Sequence, residues 1–336
     1  MKRVGHLIER IAQTANLQEA FLRAARGKGC TQAVLRFRDN LHPELEAIAS
    51  ELLDGSYRFG PYRFFIVFDP KRRMICAAPF RDRVTMHAMM RICHPVLDAY
   101  QTADSYASRV GRGTYAALER ARRLAQRYQW WAKLDVCKYF DSIDHGVLMR
   151  QLCRLFKDGV LLRLWADQLD GYHTTPGRGL PIGNLTSQYF ANHYLALADH
   201  HARERLHVPG MVRYMDDVLL FDSDRHRLND LVARYSAYAT HELALEMHDP
   251  VINSSNQGIP FLGYVVRPSG LRLNARSRKR FITKMARWAA WLRQGLVSEQ
   301  EYVNHVTCLM AFVDKADVRD LKHKLSTIPG MYPQGL

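Results

Sequence analysis

The amino-acid sequence predicts an α+β fold. Helical and strand-like segments alternate irregularly, without the strand–helix–strand repeat of a doubly wound sheet. The strand-like runs come as neighbouring pairs joined by tight turns. No internal repeat, low-complexity tract or flexible linker breaks the chain into separate modules. With 336 residues, 47% of them hydrophobic and 24% charged, the chain can bury a substantial core as one large domain or as two to three lobes.

The elements follow in order. Leu41, Leu45, Ile48 and Leu52 recur at helical spacing and stop at Asp54-Gly55, a turn signal. Tyr62 to Phe68 and Met74 to Ala78 flank Pro70-Lys71-Arg72-Arg73 and predict a hairpin with a basic tip. Arg81 to Ile92 and Tyr115 to Tyr128 predict helices, Trp130 to Val136 a half-buried strand, and Gly146 to Phe156 a further helix. After a turn-rich stretch from Tyr172 to Gly183, Ser187 to Leu206 lacks Gly and Pro and predicts one long helix. Met211 to Phe221 reads as a tight hairpin and Arg227 to Leu243 as a helix. Pro260 to Val266 and Leu271 to Asn274 form a strand pair that leads into a basic helical end.

Lys and Arg number 48 against 33 Asp and Glu, an excess of +15 that suits a polyanion, because each cation set on a phosphate releases a counterion. An anionic membrane surface would also attract such a charge. No apolar run approaches the roughly 18 residues of a spanning helix, and the start, MKRVGHLIER, lacks a secretory pattern, so a cytoplasmic protein is expected. The cysteines at 30, 76, 93, 137, 153 and 308 include no CxxC pair, so neither a disulfide framework nor a zinc knuckle is implied, and the thiols read as reduced. His87, Cys93 and His94 lack a second ligand pair and read as core.

The sharpest chemical signal is Asp216-Asp217 at the apex of an otherwise apolar hairpin, Val212 to Phe221. A solvated turn can hold an Asp pair, but Asn-Gly or Asp-Gly would suit a hairpin tip better, and adjacent carboxylates repel unless a cation lies between them. Asp135 ends a second strand and supplies a third carboxylate. Three such groups can hold two magnesium ions about 3.5 to 4 Å apart, the arrangement that drives nucleotidyl transfer.

Tyr214-Met215-Asp216-Asp217 resembles the signature of reverse transcriptases, and Asp135 to Phe140 resembles that family's other catalytic strand. Leu180 to Gln188 is similar to the loop and helix start beneath the nascent base pair, where a glycine lets substrate approach. Phe261-Leu262-Gly263-Tyr264 resembles the primer-grip turn. Lys71 to Ile75 with Arg81-Asp82-Arg83 resembles the fingers clamp, and Ser105 to Arg109 with Gly111 to Thr114 resembles a template-contacting segment. The resemblance spans roughly Tyr57 to Tyr264.

It implies a right-hand polymerase. Residues 1–98 would be N-terminal helices and fingers, 99–145 the first part of the palm, 146–180 more fingers, 181–265 the second part of the palm, and 266–336 a basic helical thumb. Asp135, Asp216 and Asp217, with the backbone of Val136, would hold two Mg²⁺ ions, for which Mn²⁺ can substitute. Lys71, Arg72, Arg73, Phe140, Ile182, Gly183 and Gln188 would meet the incoming nucleotide. Arg73 would fork onto the triphosphate and Phe140 would exclude a ribose 2′-hydroxyl, although a solvated basic turn and a simple core aromatic are the plainer readings. Arg109, Arg112, Tyr214, Met215, Phe261, Leu262, Gly263 and Tyr264 would meet template and primer.

Ile182 and Gln188 depart from the Gln-before-Gly and Pro-after-Ser pattern of many members, and Ile-Gly-x-x-x-Ser-Gln resembles the reverse transcriptases of diversity-generating retroelements. Those enzymes copy a template RNA with frequent errors opposite adenine and feed the product into a variable gene. Ile cannot hydrogen-bond near the incoming sugar and base as Gln can, so one check on pairing is absent, unless Ile182 merely packs.

A second departure from the resemblance lies at His248 to Ser255, where many polymerases place a Lys that protonates pyrophosphate: between Lys138 and Lys279 the sole lysine is Lys157, so any general acid would be His248 or solvent. Arg267 to Arg293 holds nine Lys or Arg with Trp288 and Trp291 and no acidic residue, as a thumb that follows a duplex or a membrane-surface helix would. No room is expected after it for an RNase H, maturase or endonuclease domain. The expected partners are a template RNA and RNA/cDNA duplex, dNTPs, and a small basic accessory protein, typically pentameric in that group. An antiviral or other bacterial reverse transcriptase, an RNA-binding protein on a retired polymerase fold, and a metal nuclease are the competing readings.

Overall fold

The computed structural model describes residues 2–68 and 72–316. Four helices come first, α1 (Ile8–Ile11), α2 (Thr14–Ala25), α3 (Gln32–Asp39) and α4 (Leu41–Asp54), followed by the hairpin β1 (Arg63–Phe68) and β2 (Arg72–Ala77). Helices α5 (Phe80–Tyr100) and α6 (Thr114–Arg127) lead to β3 (Trp130–Leu134). Next come α7 (Tyr139–Ser142), α8 (His145–Leu155), α9 (Gly159–Asp170), α10 (Leu185–Tyr194) and α11 (Ala196–His200), the last running into a π-helical turn at His201–Arg205. Strands β4 (Gly210–Tyr214) and β5 (Asp217–Asp222), helix α12 (Arg225–Leu243) and strand β6 (Val251–Ser254) follow. The described chain closes with β7 (Ile259–Phe261), β8 (Tyr264–Arg267), β9 (Gly270–Leu273), α13 (Ala275–Arg293) and α14 (Glu299–Val313).

The chain divides into two compact units. One comprises Met1–Arg109, Asp135–His207 and Ala233–Asp249, and the other Val110–Leu134, Val208–Val232 and Pro250–Leu336. In the second, an antiparallel sheet of order β4-β5-β3-β6 stands beside a three-stranded sheet of order β7-β8-β9 in chain order. The hydrophobic faces of β3, β4 and β5 are buried almost completely, with Trp131, Leu134, Val212, Leu219 and Phe221 at 1% exposure or less. That explains why β4 and β5 read as continuous apolar runs rather than as alternating ones. Helix α6 supplies Leu118, Ala121 and Leu124 to the same core.

The first unit is mainly helical around the two-stranded β1-β2 ribbon. Its core holds Trp165 edge-on to both Phe156 and Phe190, with centroids 5.0 and 5.5 Å apart. A second aromatic group, Phe21, Phe37 and Phe80, joins α2, α3 and α5. Asp158 is a junction: buried at 8% exposure, it caps α9 through Leu161 N at 3.1 Å and accepts Leu7 N and Ile8 N at 2.7 and 3.0 Å. One carboxylate thus satisfies orphan donors at two helix starts.

Three expectations need correction. The single helix over Ser187 to Leu206 starts at Leu185 and breaks after Tyr194, where the Gln151 amide donates to the Tyr194 carbonyl at 3.2 Å. Its last part widens into a π turn closed by Leu206 N to His201 O at 3.0 Å. The strand over Pro260 to Val266 is a hairpin: Leu262 and Gly263 have φ of 49 and 88° and form a two-residue turn between paired Phe261 and Tyr264. Helix α5 runs eight residues past Ile92 and through Pro95, carried by buried Cys93 and Leu97.

Replacing Asp158 by Ala is expected to lower unfolding stability by about 2–4 kcal/mol, since three backbone donors lose their acceptor. Denaturant titration of the intact chain, with hydrogen exchange at Leu7 and Ile8, measures it.

Candidate active site

In the second unit, β4 and β5 pair from Gly210↔Phe221 to Tyr214↔Asp217, leaving Met215 and Asp216 as a two-residue tip. Met215 takes φ 58°, which L side chains rarely adopt, and the fully buried Arg213 donates through Nη1 to the Met215 carbonyl at 3.0 Å. A guanidinium inside the hairpin therefore holds a strained turn in place. Asp217 Oδ1 lies 2.7 Å from Lys133 Nζ, with the two side chains 26% and 25% exposed. Lys133 belongs to β3, whose last residue, Leu134, pairs with Val218; Asp135 is the next residue of the chain. The ammonium stands where a carboxylate pair demands positive charge, so these donors suit a hard cation. Among the described residues no three His, Cys, Asp or Glu side chains are already gathered as a metal cluster.

In the first unit, the Asp135 backbone carbonyl accepts His248 N at 2.9 Å, Cys137 N donates to Glu246 O at 2.8 Å, and the backbone of buried Val136 bridges Met247. The His248 ring nitrogen Nδ1 lies 3.4 Å from Cys137 Sγ. Beyond it, Lys138 has φ 45° and turns the chain into α7, where Phe140 is half-buried. The Phe140 carbonyl accepts Leu180 N at 2.7 Å, which joins α7 to the Leu180 to Asn184 loop. Cys76 N of β2 donates to the Ile182 carbonyl at 2.8 Å. Gly183 has φ 110°, and a Cβ there would lie 2.8 Å from Ile75 Cγ2, so the loop can meet β2 this closely only with glycine. Phe140, Ile182, Gly183 and β2 are thus brought together.

Arg72 and Arg73 are exposed on β2, paired with Phe68 and Val67 of β1; Lys71 lies outside the described residues. Gln188 is exposed on the first turn of α10. Arg109 is engaged internally, bonding Asp98 Oδ1 at 2.6 Å and the Thr102 and Ser105 carbonyls at 2.7 and 3.2 Å, so it orders its own segment. Arg112 is half-exposed ahead of α6 in the second unit. There Thr114 Oγ1 meets the Tyr214 hydroxyl at 3.3 Å, and Tyr115 donates to the Ala311 carbonyl at 3.0 Å. The Phe261 to Tyr264 turn is seated on the thumb-like helices: Gly263 approaches Ser277 and Phe312, and the Tyr264 hydroxyl bonds the Phe312 carbonyl. The buried face of α13 is Phe281, Met285 and Ala289. Trp288 and Trp291 are half-buried beside it, and Trp288 stacks on His305 at 4.0 Å.

Sequence reasoning assigned no role to Lys133, Arg213 or Gln168, whose amide donates to Thr186 Oγ1 at 2.7 Å beneath the loop. Strand parity was available for Lys133, two residues before Asp135. No sequence signal marks Arg213 as buried.

The chain belongs to the reverse transcriptase (RNA-dependent DNA polymerase) family, which it matches over residues 69–266. It is 26% identical over 165 residues to the COX1/OXI3 intron 1 protein of Saccharomyces cerevisiae, covering 46% of this chain and 20% of that protein. It is 27% identical over 224 residues to YkfC of Escherichia coli, covering 60% of this chain and 58% of YkfC. The chain therefore spans a fifth to about three fifths of these relatives. Telomerase of Candida albicans shares the fold, with a TM-score of 0.50 and 13% identity over 69% of this chain and 51% of that one. The architecture is that of a right-hand polymerase. No described helix is long and apolar enough to cross a membrane.

Gly183→Ala is expected to cost about 2–3 kcal/mol, combining backbone strain with the Ile75 clash. Gly177→Ala, also at positive φ but with open space around it, should cost only about 1 kcal/mol. Paired denaturation curves separate the clash from the strain.

Proposed function

We propose that the chain is an RNA-directed DNA polymerase that extends a primer 3′-hydroxyl with deoxynucleotides. Asp135, Asp216, Asp217 and the Val136 backbone hold two divalent cations, Mg²⁺ or in substitution Mn²⁺. The observation that carries this reading is the Asp216-Asp217 tip, anchored by buried Arg213, with Asp217 held by an ammonium at 2.7 Å. When bound, such ions lower the pKa of the attacking hydroxyl and neutralise the triphosphate and the leaving pyrophosphate.

The chain's own residues do the positioning. Arg73, with Lys71 and Arg72 beside it, grips the triphosphate. Phe140, fixed through its carbonyl to Leu180, fills the space of a 2′-hydroxyl. Ile182 and Gly183 underlie the nascent pair, with Gln188 on the helix that follows. Tyr214, Met215 and the Phe261 to Tyr264 turn hold the primer end. Arg112 and the basic helix α13 follow the nucleic-acid backbone, while Arg109 acts by ordering its segment. His248, whose backbone is tied to Asp135 at 2.9 Å, is the candidate proton donor to pyrophosphate.

The finer reading is that the enzyme serves a diversity-generating retroelement, miscopies template adenines, and works with a structured template RNA and a small basic pentameric protein in the cytoplasm. The apolar Ile182 in the loop supports low fidelity, because no side-chain hydrogen bond there tests the pair.

Purified protein should copy a primed RNA template with Mg²⁺ and dNTPs, and Asp216→Asn/Asp217→Asn should reduce the rate by on the order of 10³-fold or more. Synthesis unaffected by that change would refute the assignment. Product sequencing adds two outcomes: Ile182→Gln should lower misincorporation, and Phe140→Ala should admit ribonucleotides. Equal error rates would remove Ile182 from the account of fidelity.

A further inference from the structure

Lys133 makes two contacts through its ammonium, and both partners belong to the second unit although they are distant from it in sequence. Nζ stands 2.7 Å from Asp217 Oδ1 and donates to the Pro260 carbonyl at 3.4 Å. Strand register explains the first contact. Lys133 faces Leu219 on β5, so Asp217 is its diagonal neighbour two residues away, a separation that a four-carbon side chain spans. The second contact reaches β7 one residue before Phe261, where the turn to Tyr264 begins.

Ordering a lysine on the central part of a sheet costs rotamer freedom and hydration. With the two side chains 25% and 26% exposed, the pair is screened less than one on the open surface. Its partner is a carboxylate to which the two-cation reading gives a metal-holding role. An ammonium and a divalent ion compete for the same carboxylate and repel one another. A triphosphate brings negative charge that offsets this repulsion. The ammonium therefore opposes an ion that arrives alone and tolerates one that arrives with its nucleotide. Arg213 has a separate task, because it is buried and set on the Met215 carbonyl at 3.0 Å. One cation fixes the backbone of the tip, and the other governs its carboxylate.

We infer that Lys133 is a positioning residue, the resident cation of the Asp216-Asp217 tip, which holds Asp217 before nucleotide arrives, keeps the affinity for a lone divalent ion low, and so couples ion loading to the triphosphate. The Pro260 carbonyl keeps the ammonium beside the strand that enters the Phe261 to Tyr264 turn. The inference rests on the two-cation reading of the tip.

The test uses the intact chain and measures free Mn²⁺ by electron paramagnetic resonance, which requires no turnover. The uptake counted is that which Asp216→Asn/Asp217→Asn abolishes. Lys133→Met removes the charge and keeps a side chain of similar reach. It should tighten Mn²⁺ binding without nucleotide by about tenfold, and by much less when a non-hydrolysable dNTP analogue is present. Lys133→Arg keeps the charge and should bind Mn²⁺ as the wild type does. In primer extension, the Mg²⁺ concentration at half-maximal rate should fall as dNTP rises in the wild type and depend on dNTP far less in Lys133→Met. A tip that is merely loosened binds the ion more weakly, so the sign of the change separates charge from fold. Unchanged or weaker Mn²⁺ binding by Lys133→Met, in a protein whose wild type binds Mn²⁺ and copies RNA, overturns the proposal and leaves the polymerase reading standing. Binding by Lys133→Arg as tight as by Lys133→Met overturns it too. Tighter binding by Lys133→Met in a protein that copies no template supports Lys133 as the resident cation of a metal site, and the polymerase reading fails. A wild type that takes up no Mn²⁺, with or without nucleotide, overturns both.

Discussion

Two carboxylates side by side at a hairpin apex cannot be left to repel one another, and the second unit is arranged around that constraint. Arg213 is buried completely and turned to the Met215 carbonyl, which fixes a backbone conformation that methionine would not choose. Lys133 arrives from the neighbouring strand because β3 lies between β5 and β6 and its register sets Lys133 against Leu219. A slip by one residue in an antiparallel ladder exchanges the two faces of a strand, so the paired Trp131 and Phe221 would leave the places packed around them. Core packing thereby fixes which charges meet at the tip.

The first unit answers a different demand, close approach of backbone to backbone. Its loop from Leu180 to Asn184 is held at one end by Phe140 and at the middle by Cys76, and Gly183 fills a place that any Cβ would block. Side chains on the loop can then be small or apolar, as Ile182 is, because main-chain bonds maintain the geometry. A loop built this way can vary its chemistry at one position without losing its shape, which is the condition for tuning selectivity by a single residue.

What was legible in the sequence follows from the range of each interaction. The Tyr214 to Asp217 tip, the fingers-like hairpin and α4 were visible because turn chemistry and periodicity are local. Helix α9 has regular spacing in Leu161, Leu164, Trp165 and Gln168, although no motif marks it. The break after Tyr194 was not legible: the Gln151 amide that donates to the carbonyl there comes from 43 positions away. Of the candidate site, the three Asp and the loop are proposed from motifs. Lys133 needed the strand's parity, and Arg213 needed burial that no pattern in its own segment reveals. Arg109 differs: the resemblance of its segment suggested a template contact, and in the structure Asp98 and two carbonyls engage its guanidinium.

That last case bears on how far the excess of +15 can be read. A cation already held by a carboxylate and two carbonyls releases few counterions on binding a phosphate, so it adds little to affinity for nucleic acid. The contribution comes from cations that stay exposed, such as Arg23 at 53% exposure on Glu19. Arg72 and Arg73 on β2 are likewise exposed. Net charge identifies the kind of partner, but only the pairing pattern tells which face of the molecule can receive it, and that pattern is a property of the fold rather than of composition.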